Sequence, residues 1–80
     1  MSERLSLLGL LEEKKQQAAK LRLKIEGMRD SVRMNLPRHD PIESLNGELV
    51  AIEAVEMAAS IVAYKDLLDE ISAIKRDVGA

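Results

Sequence analysis

Apolar residues in the first half of the chain recur at the spacing of one helix face. Successive members of the series lie four, seven, three, four, three and four residues apart, which is typical of a heptad seam. The series predicts a helix over about residues 3–34, with Ser2 as its N-cap and Asn35 as a left-handed residue that ends it. Its members are Leu7, Leu11, Ala18, Leu21, Ile25, Met28 and Val32.

Two prolines then interrupt the helical pattern near the middle of the chain, at Pro37 and Pro41. Proline lacks the N–H group that a helix interior requires, so the first helix must end before them. Asp40, Pro41 and Glu43 fit the N-cap, first and third positions of a new helix, with a capping box. We therefore expect a second helix over about 41–77, and an all-α, antiparallel two-helix hairpin that forms a single domain over residues 1–80.

The second helix has more apolar positions than one neighbouring helix can cover. A surface helix usually presents an apolar arc of a little over 100°, whereas the segment 49–64 is apolar around most of its circumference. One row of this helix is predicted to pack on Leu11, Leu21, Ile25, Met28 and Val32 of the first helix. That row comprises Val50, Met57, Ile61, Tyr64, Leu68 and Ile71.

A second apolar row on this helix has no partner within the hairpin. Exposed apolar surface of this extent favours association. We therefore expect a four-helix bundle or a larger helical oligomer, most simply a homodimer and alternatively a tetramer. A single hairpin with exposed alanines is the simpler alternative, and Glu53, Glu56 and Ser60 are expected to form a narrow solvent-facing stripe. The predicted oligomer interface is Leu45, Leu49, Ile52, Val55, Ala59 and Val62.

Charge is distributed unevenly along the 80 residues, although the net charge is only -2. Residues 1–40 carry nine basic and six acidic side chains, whereas residues 41–80 carry three and eight. The basic side chains are expected to flank the seam and to meet the acidic second helix. The alternative is a nucleic-acid-binding regulator, in which the basic side chains of helix 1 contact phosphates. The candidates are Lys14, Lys15, Lys20, Arg22, Lys24, Arg29 and Arg33.

The residue types of the chain offer little for catalysis or metal binding. His39 is the only histidine and there is no cysteine, so neither a zinc site nor a thiol nucleophile is expected. No serine has a histidine at helical spacing, and no glycine-rich phosphate loop is present. We predict no cofactor and no enzymatic activity, with an arginine-lined anion site between subunits at Arg4, Arg22 and Arg29 as a minor alternative.

Together these patterns predict a non-enzymatic oligomerisation or protein-interaction module, such as an adaptor or an assembly protein. A hetero-complex, in which another helical protein covers the spare face of helix 2, is a further alternative. The longest uncharged run of the apolar segment is far shorter than the roughly 20 residues that span a bilayer, so no membrane association is predicted. The lack of cysteine favours a cytoplasmic location.

Overall fold

The protein is a long two-helix hairpin. The computed structural model describes residues 3–79, so the predicted cap Ser2 lies outside the described residues. Helix α1 spans Glu3–Met34, a single 3₁₀ turn spans Ile42–Ser44, and helix α2 spans Gly47–Gly79. The two helices pack along their length in a rod of 63 × 16 × 14 Å. The predicted all-α hairpin is confirmed.

A heptad seam joins the two helices. In α1 the seam alternates between position a and position d, and each member is buried or half-buried. Lys14 and Asn35 fall in this series, and the hydrocarbon stem of a lysine can pack on apolar surface while its ammonium stays in water. Position a of α2 is Val50, Met57, Tyr64, Ile71 and Val78, and position d is Glu53, Ser60, Leu67 and Ile74.

The best-packed part of the hairpin lies at the end that carries the chain termini. The four buried side chains of the described residues are Leu11, Ala18, Ile71 and Ile74, and they form one cluster. The half of the hairpin next to the connecting segment contains only half-buried seam residues, such as Ile25 and Met57. A two-helix layer shields each seam residue on one side only, which is why the core is so thin.

One residue of the predicted α2 packing row was assigned incorrectly. Leu68 is 41% exposed, whereas its neighbour Leu67 packs against the buried cluster. Both residues are leucines, so hydropathy alone does not distinguish them. Leu67 lies seven residues before Ile74, and this spacing keeps it at position d of the seam.

Helix α2 begins at Gly47, six residues later than predicted, and the predicted cap at Asp40 is wrong. Residues 42–44 instead form one 3₁₀ turn, in which Ser44 donates from its backbone N–H and from Oγ to the carbonyl of Pro41. Leu45 is then extended, with φ -76° and ψ 134°. Asn46 is the actual N-cap, because its Oδ1 accepts a hydrogen bond of 3.0 Å from the N–H of Leu49.

The end of α1 also differs from the prediction in its backbone conformation. Asn35 lies directly after the last helical residue, Met34, as expected. However, no non-glycine residue in the described part of the chain has a positive φ, so Asn35 is not left-handed. The N–H of Asn35 still donates to the carbonyl of Ser31 at 3.1 Å. Its side chain is directed toward α2.

Replacing Asn46 by alanine is expected to lower the free energy of unfolding by about 1 kcal/mol, because the N–H of Leu49 loses its acceptor. The matched control is Asp40→Ala, which removes a side chain that no hydrogen bond ties to the start of α2. Urea unfolding followed by circular dichroism measures both. An effect at Asp40 as large as that at Asn46 would contradict this assignment of the cap.

Candidate interaction surfaces

The outer face of α2 is apolar and uncovered over the half of the helix nearest the connection. Val55 is 69% exposed, Val62 59%, Ile52 58% and Leu49 39%, and Ala59 is also exposed. A shallow depression of about 400 Å³ lies among Ala51, Ile52, Val55 and Glu56. Of the residues predicted for the oligomer interface, only Leu45 is half-buried within the single chain.

The heptad geometry explains why these side chains are uncovered. With Val50, Met57 and Tyr64 directed toward α1, the positions farthest from the seam include Ile52, Val55, Ala59 and Val62. The corresponding positions farther along α2 are mostly polar, such as Asp66, Asp69 and Arg76. The apolar surface is therefore confined to the half of α2 that packs against the part of α1 without buried side chains.

Two of the three residues predicted to form the solvent-facing stripe of α2 lie against α1 instead. Glu53 and Ser60 are half-buried at position d, and only Glu56 is exposed as predicted. Asn35 Nδ2 donates a hydrogen bond of 2.8 Å to Glu53 Oε1. The other oxygen, Glu53 Oε2, is buried without a hydrogen-bond partner. The half of α2 nearest the connection thus directs two polar side chains toward the seam, although several large apolar side chains face water.

An unsatisfied buried oxygen is costly. A polar atom that is removed from water without a hydrogen bond costs about 1–3 kcal/mol in proteins, and more when it is charged. Glu53 also lines an open cleft of about 290 Å³ between the helices, together with Gly27, Met28, Ser31 and Glu56. A Cβ atom at Gly27 would meet no side chain and no atom of α2 within 4 Å.

The basic side chains of α1 are mostly directed into solvent. Lys14 is the exception, since its Nζ lies 3.0 Å from Glu70 Oε2 of α2. Arg22 pairs with Glu26 of its own helix at 3.4 Å, and the pairing of the other candidates with α2 is not found among the described residues. The expected contact between the basic residues and the acidic helix is therefore confirmed for Lys14 alone.

These basic residues do not form a single strip. Lys15, Arg22 and Arg29 are seven residues apart and share position e of the heptad, on one flank of the seam. Lys20, Lys24 and Arg33 point in other directions around α1, according to the helical repeat. A phosphate backbone that followed the helix would therefore meet a row of three cations.

No metal-binding cluster is found in residues 3–79: no three histidine, cysteine, aspartate or glutamate side chains there lie close enough to hold an ion. His39 is exposed in the connecting segment. Neither α1 nor α2 contains a stretch that is long and apolar enough to cross a membrane.

Comparison with known protein families, with curated proteins and with solved structures found no match to this chain.

Proposed function

We propose that this chain is a non-enzymatic, self-associating helical module that joins copies of itself through the outer face of α2. The observation that carries the proposal is the exposure of Ile52, Val55 and Val62 on one continuous surface. Burying a side chain of this size contributes about 1.5–3 kcal/mol relative to leaving it in water.

The position of this surface supports the proposal as much as its composition does. The buried cluster of Leu11, Ala18, Ile71 and Ile74 lies at the end with the chain termini, and the outer apolar face lies at the opposite end. A second layer of helices on α2 would therefore add a core to the half that lacks one. The two hairpins together would then form a four-helix bundle of the usual kind.

The size of the chain favours a second copy as the source of that layer. In chains of about 80 residues or fewer a single core rarely supplies more than about 3–5 kcal/mol, and natural small proteins add disulfides, a metal or oligomerisation. This chain has no cysteine for a disulfide. Binding of a second copy supplies the missing apolar contacts without another component, and the same surface serves as the adaptor or assembly interface.

Sedimentation equilibrium of the purified chain over a wide range of concentrations tests the proposal. We expect a mass of at least twice 8.9 kDa, the mass of one chain, that falls only on strong dilution. A mass of one chain at every concentration would overturn self-association. The hetero-complex, in which a different helical protein covers the outer face of α2, would then replace it.

A second candidate is a nucleic-acid-binding regulator that uses Lys15, Arg22 and Arg29. The observation in its favour is that these three side chains form an exposed row that α2 does not neutralise. It ranks below self-association because α1 contains no aromatic side chain for stacking on bases. Nucleic-acid binding also does not explain why the outer face of α2 is apolar.

A further inference from the structure

The two broad faces of the hairpin carry opposite charge. In an antiparallel helix pair, the e positions of both helices share one side of the seam and the g positions share the other. The cleft confirms this arrangement, because Ser31 and Glu56, both at position g, line it together. Four cations, and no anion, occupy the e positions, and we call them the basic face: Lys15, Arg22, Arg29 and Lys75.

The g side has the opposite character. We call it the acidic face, and its α2 members are Glu56, Glu70 and Asp77. On the α1 side Glu3 adds an acid, and Lys24 is an opposing cation. The cleft opens on this side, with Glu53 beneath it and Glu53 Oε2 unsatisfied in a single copy. The acidic face adjoins the outer face of α2, since Glu56 lines both the cleft and the apolar depression.

The spacing of charge on the two faces matches. Lys15 and Arg29 are fourteen residues apart on α1, and Glu56 and Glu70 are fourteen residues apart on α2. Both intervals are about 21 Å along a helix. If α1 of a second copy runs antiparallel to α2, then Lys15 can face Glu70 at the same time as Arg29 faces Glu56. This is nearly the register that the chain uses internally, where Lys14 meets Glu70.

We propose that the acidic face docks the basic face of a second copy, with the guanidinium group of the second copy's Arg29 in the cleft between Glu53 and Glu56. Guanidinium presents five N–H donors in a planar fork, and carboxylates are its best acceptors. The inference rests on the proposed self-association through the outer face of α2, and it adds a contact between charged faces, one of which adjoins that outer face. Leu8 and Leu68, each 41% exposed, border the basic face, and such apolar neighbours suit a protein partner better than a phosphate backbone.

Because this contact joins two different faces, it is heterologous, unlike a contact that pairs one patch with itself. Charge reversal on one face should therefore be corrected by the opposite reversal on the other copy. We expect Arg29→Glu alone and Glu56→Arg alone each to raise the dissociation constant about tenfold or more, since like charges then meet in the interface. Both side chains are exposed and both replacements are good helix formers, so the hairpin is retained.

The decisive measurement is sedimentation equilibrium on an equimolar mixture of the two variants. In the mixture, the glutamate introduced at position 29 of one chain can meet the arginine introduced at position 56 of the other, and the unaltered Arg29 and Glu56 can also meet. We expect the mixture to regain the mass of the unaltered protein, whereas neither variant does so alone. The control is Arg38→Glu, which makes the same change of charge in the connecting segment and should leave the mass unchanged.

The outcomes separate this inference from the proposed function. A single-chain mass for the unaltered protein overturns both. If the unaltered protein associates but Arg29→Glu leaves the dissociation constant unchanged, or if the mixture fails to recover, only the docking of basic on acidic face is overturned. Should Arg29→Glu preserve the mass but abolish retardation of nucleic acid at low salt, the basic face serves nucleic acid instead.

Discussion

Replacing both Ile52 and Val62 by glutamate is expected to reduce the native mass to that of one chain. The two side chains are 58% and 59% exposed, so a single copy tolerates charge at both positions. Within an interface, the same carboxylates would lose water without gaining partners, which is far more costly than the loss of apolar contact alone. Analytical ultracentrifugation at matched concentrations of variant and unaltered protein measures the change.

The matched control for this experiment is Ile42→Glu. Ile42 is 83% exposed in the 3₁₀ turn and lies outside the outer face of α2, so this variant should retain the native mass. Glutamate has a higher helix propensity than isoleucine or valine, and circular dichroism should therefore show undiminished helix in the double variant. An unchanged mass with intact helix would remove the outer face of α2 as the association surface.

Replacing Ile74 by alanine is expected to lower the free energy of unfolding by about 2–5 kcal/mol, the usual range for truncation of a buried isoleucine. Ile74 belongs to a cluster of only four buried side chains, and a small domain has few other contacts to compensate. Urea unfolding at one fixed protein concentration measures the effect, because association makes apparent stability depend on concentration.

The control for Ile74 is Leu68→Ala, which removes a similar volume from an exposed position. We expect a clearly smaller loss there, of the size typical of surface substitutions, about 0.5 kcal/mol. Equal losses at the two positions would contradict the placement of the core. In that case α2 would have to be rotated about its axis relative to the seam described above.

The sequence predicts the bounds and the buried face of α1 well, because the heptad series of apolar residues fits only one helix face. Its seam leaves a single face that satisfies the three- and four-residue steps, and charged or other polar residues occupy most other positions, so both the boundaries and the buried face are as expected. The turn residues at Pro37 and Pro41 likewise determine that the chain reverses between the helices. The bounds of α1 and the chain reversal were therefore predicted correctly, whereas the left-handed conformation of Asn35 was not.

The start of α2 could not be determined in the same way. Aspartate and asparagine are about equally good N-caps, so Asp40 and Asn46 are equivalent by residue type. The geometry of the hairpin selects Asn46, because the extended Leu45 must first redirect the chain. This requirement depends on how the two helices pack, so it cannot be inferred from the few residues around the start of α2.

The orientation of α2 about its axis was only half predictable. Its row through Val50, Met57 and Tyr64 was identified, yet the apolar arc is so wide that the second seam row could include either Glu53 or Ala54. Hydropathy favours the alanine, whereas the structure half-buries both and bonds Glu53 to Asn35. A polar pair such as Asn35 and Glu53 can fix the register of two helices, and hydrophobic periodicity does not predict it.

The placement of the tightest packing at the ends of the chain has a consequence for how the hairpin folds. Leu11 and Ile74 are 63 residues apart along the chain, although they belong to one cluster. The entropy of loop closure grows with the length of the loop, so this cluster forms at a higher cost than contacts beside the turn. A hairpin that zippered from its turn would gain its strongest contacts last. The buried cluster therefore joins residues that are far apart in sequence, and we expect the hairpin to form more slowly than one whose core adjoins its turn.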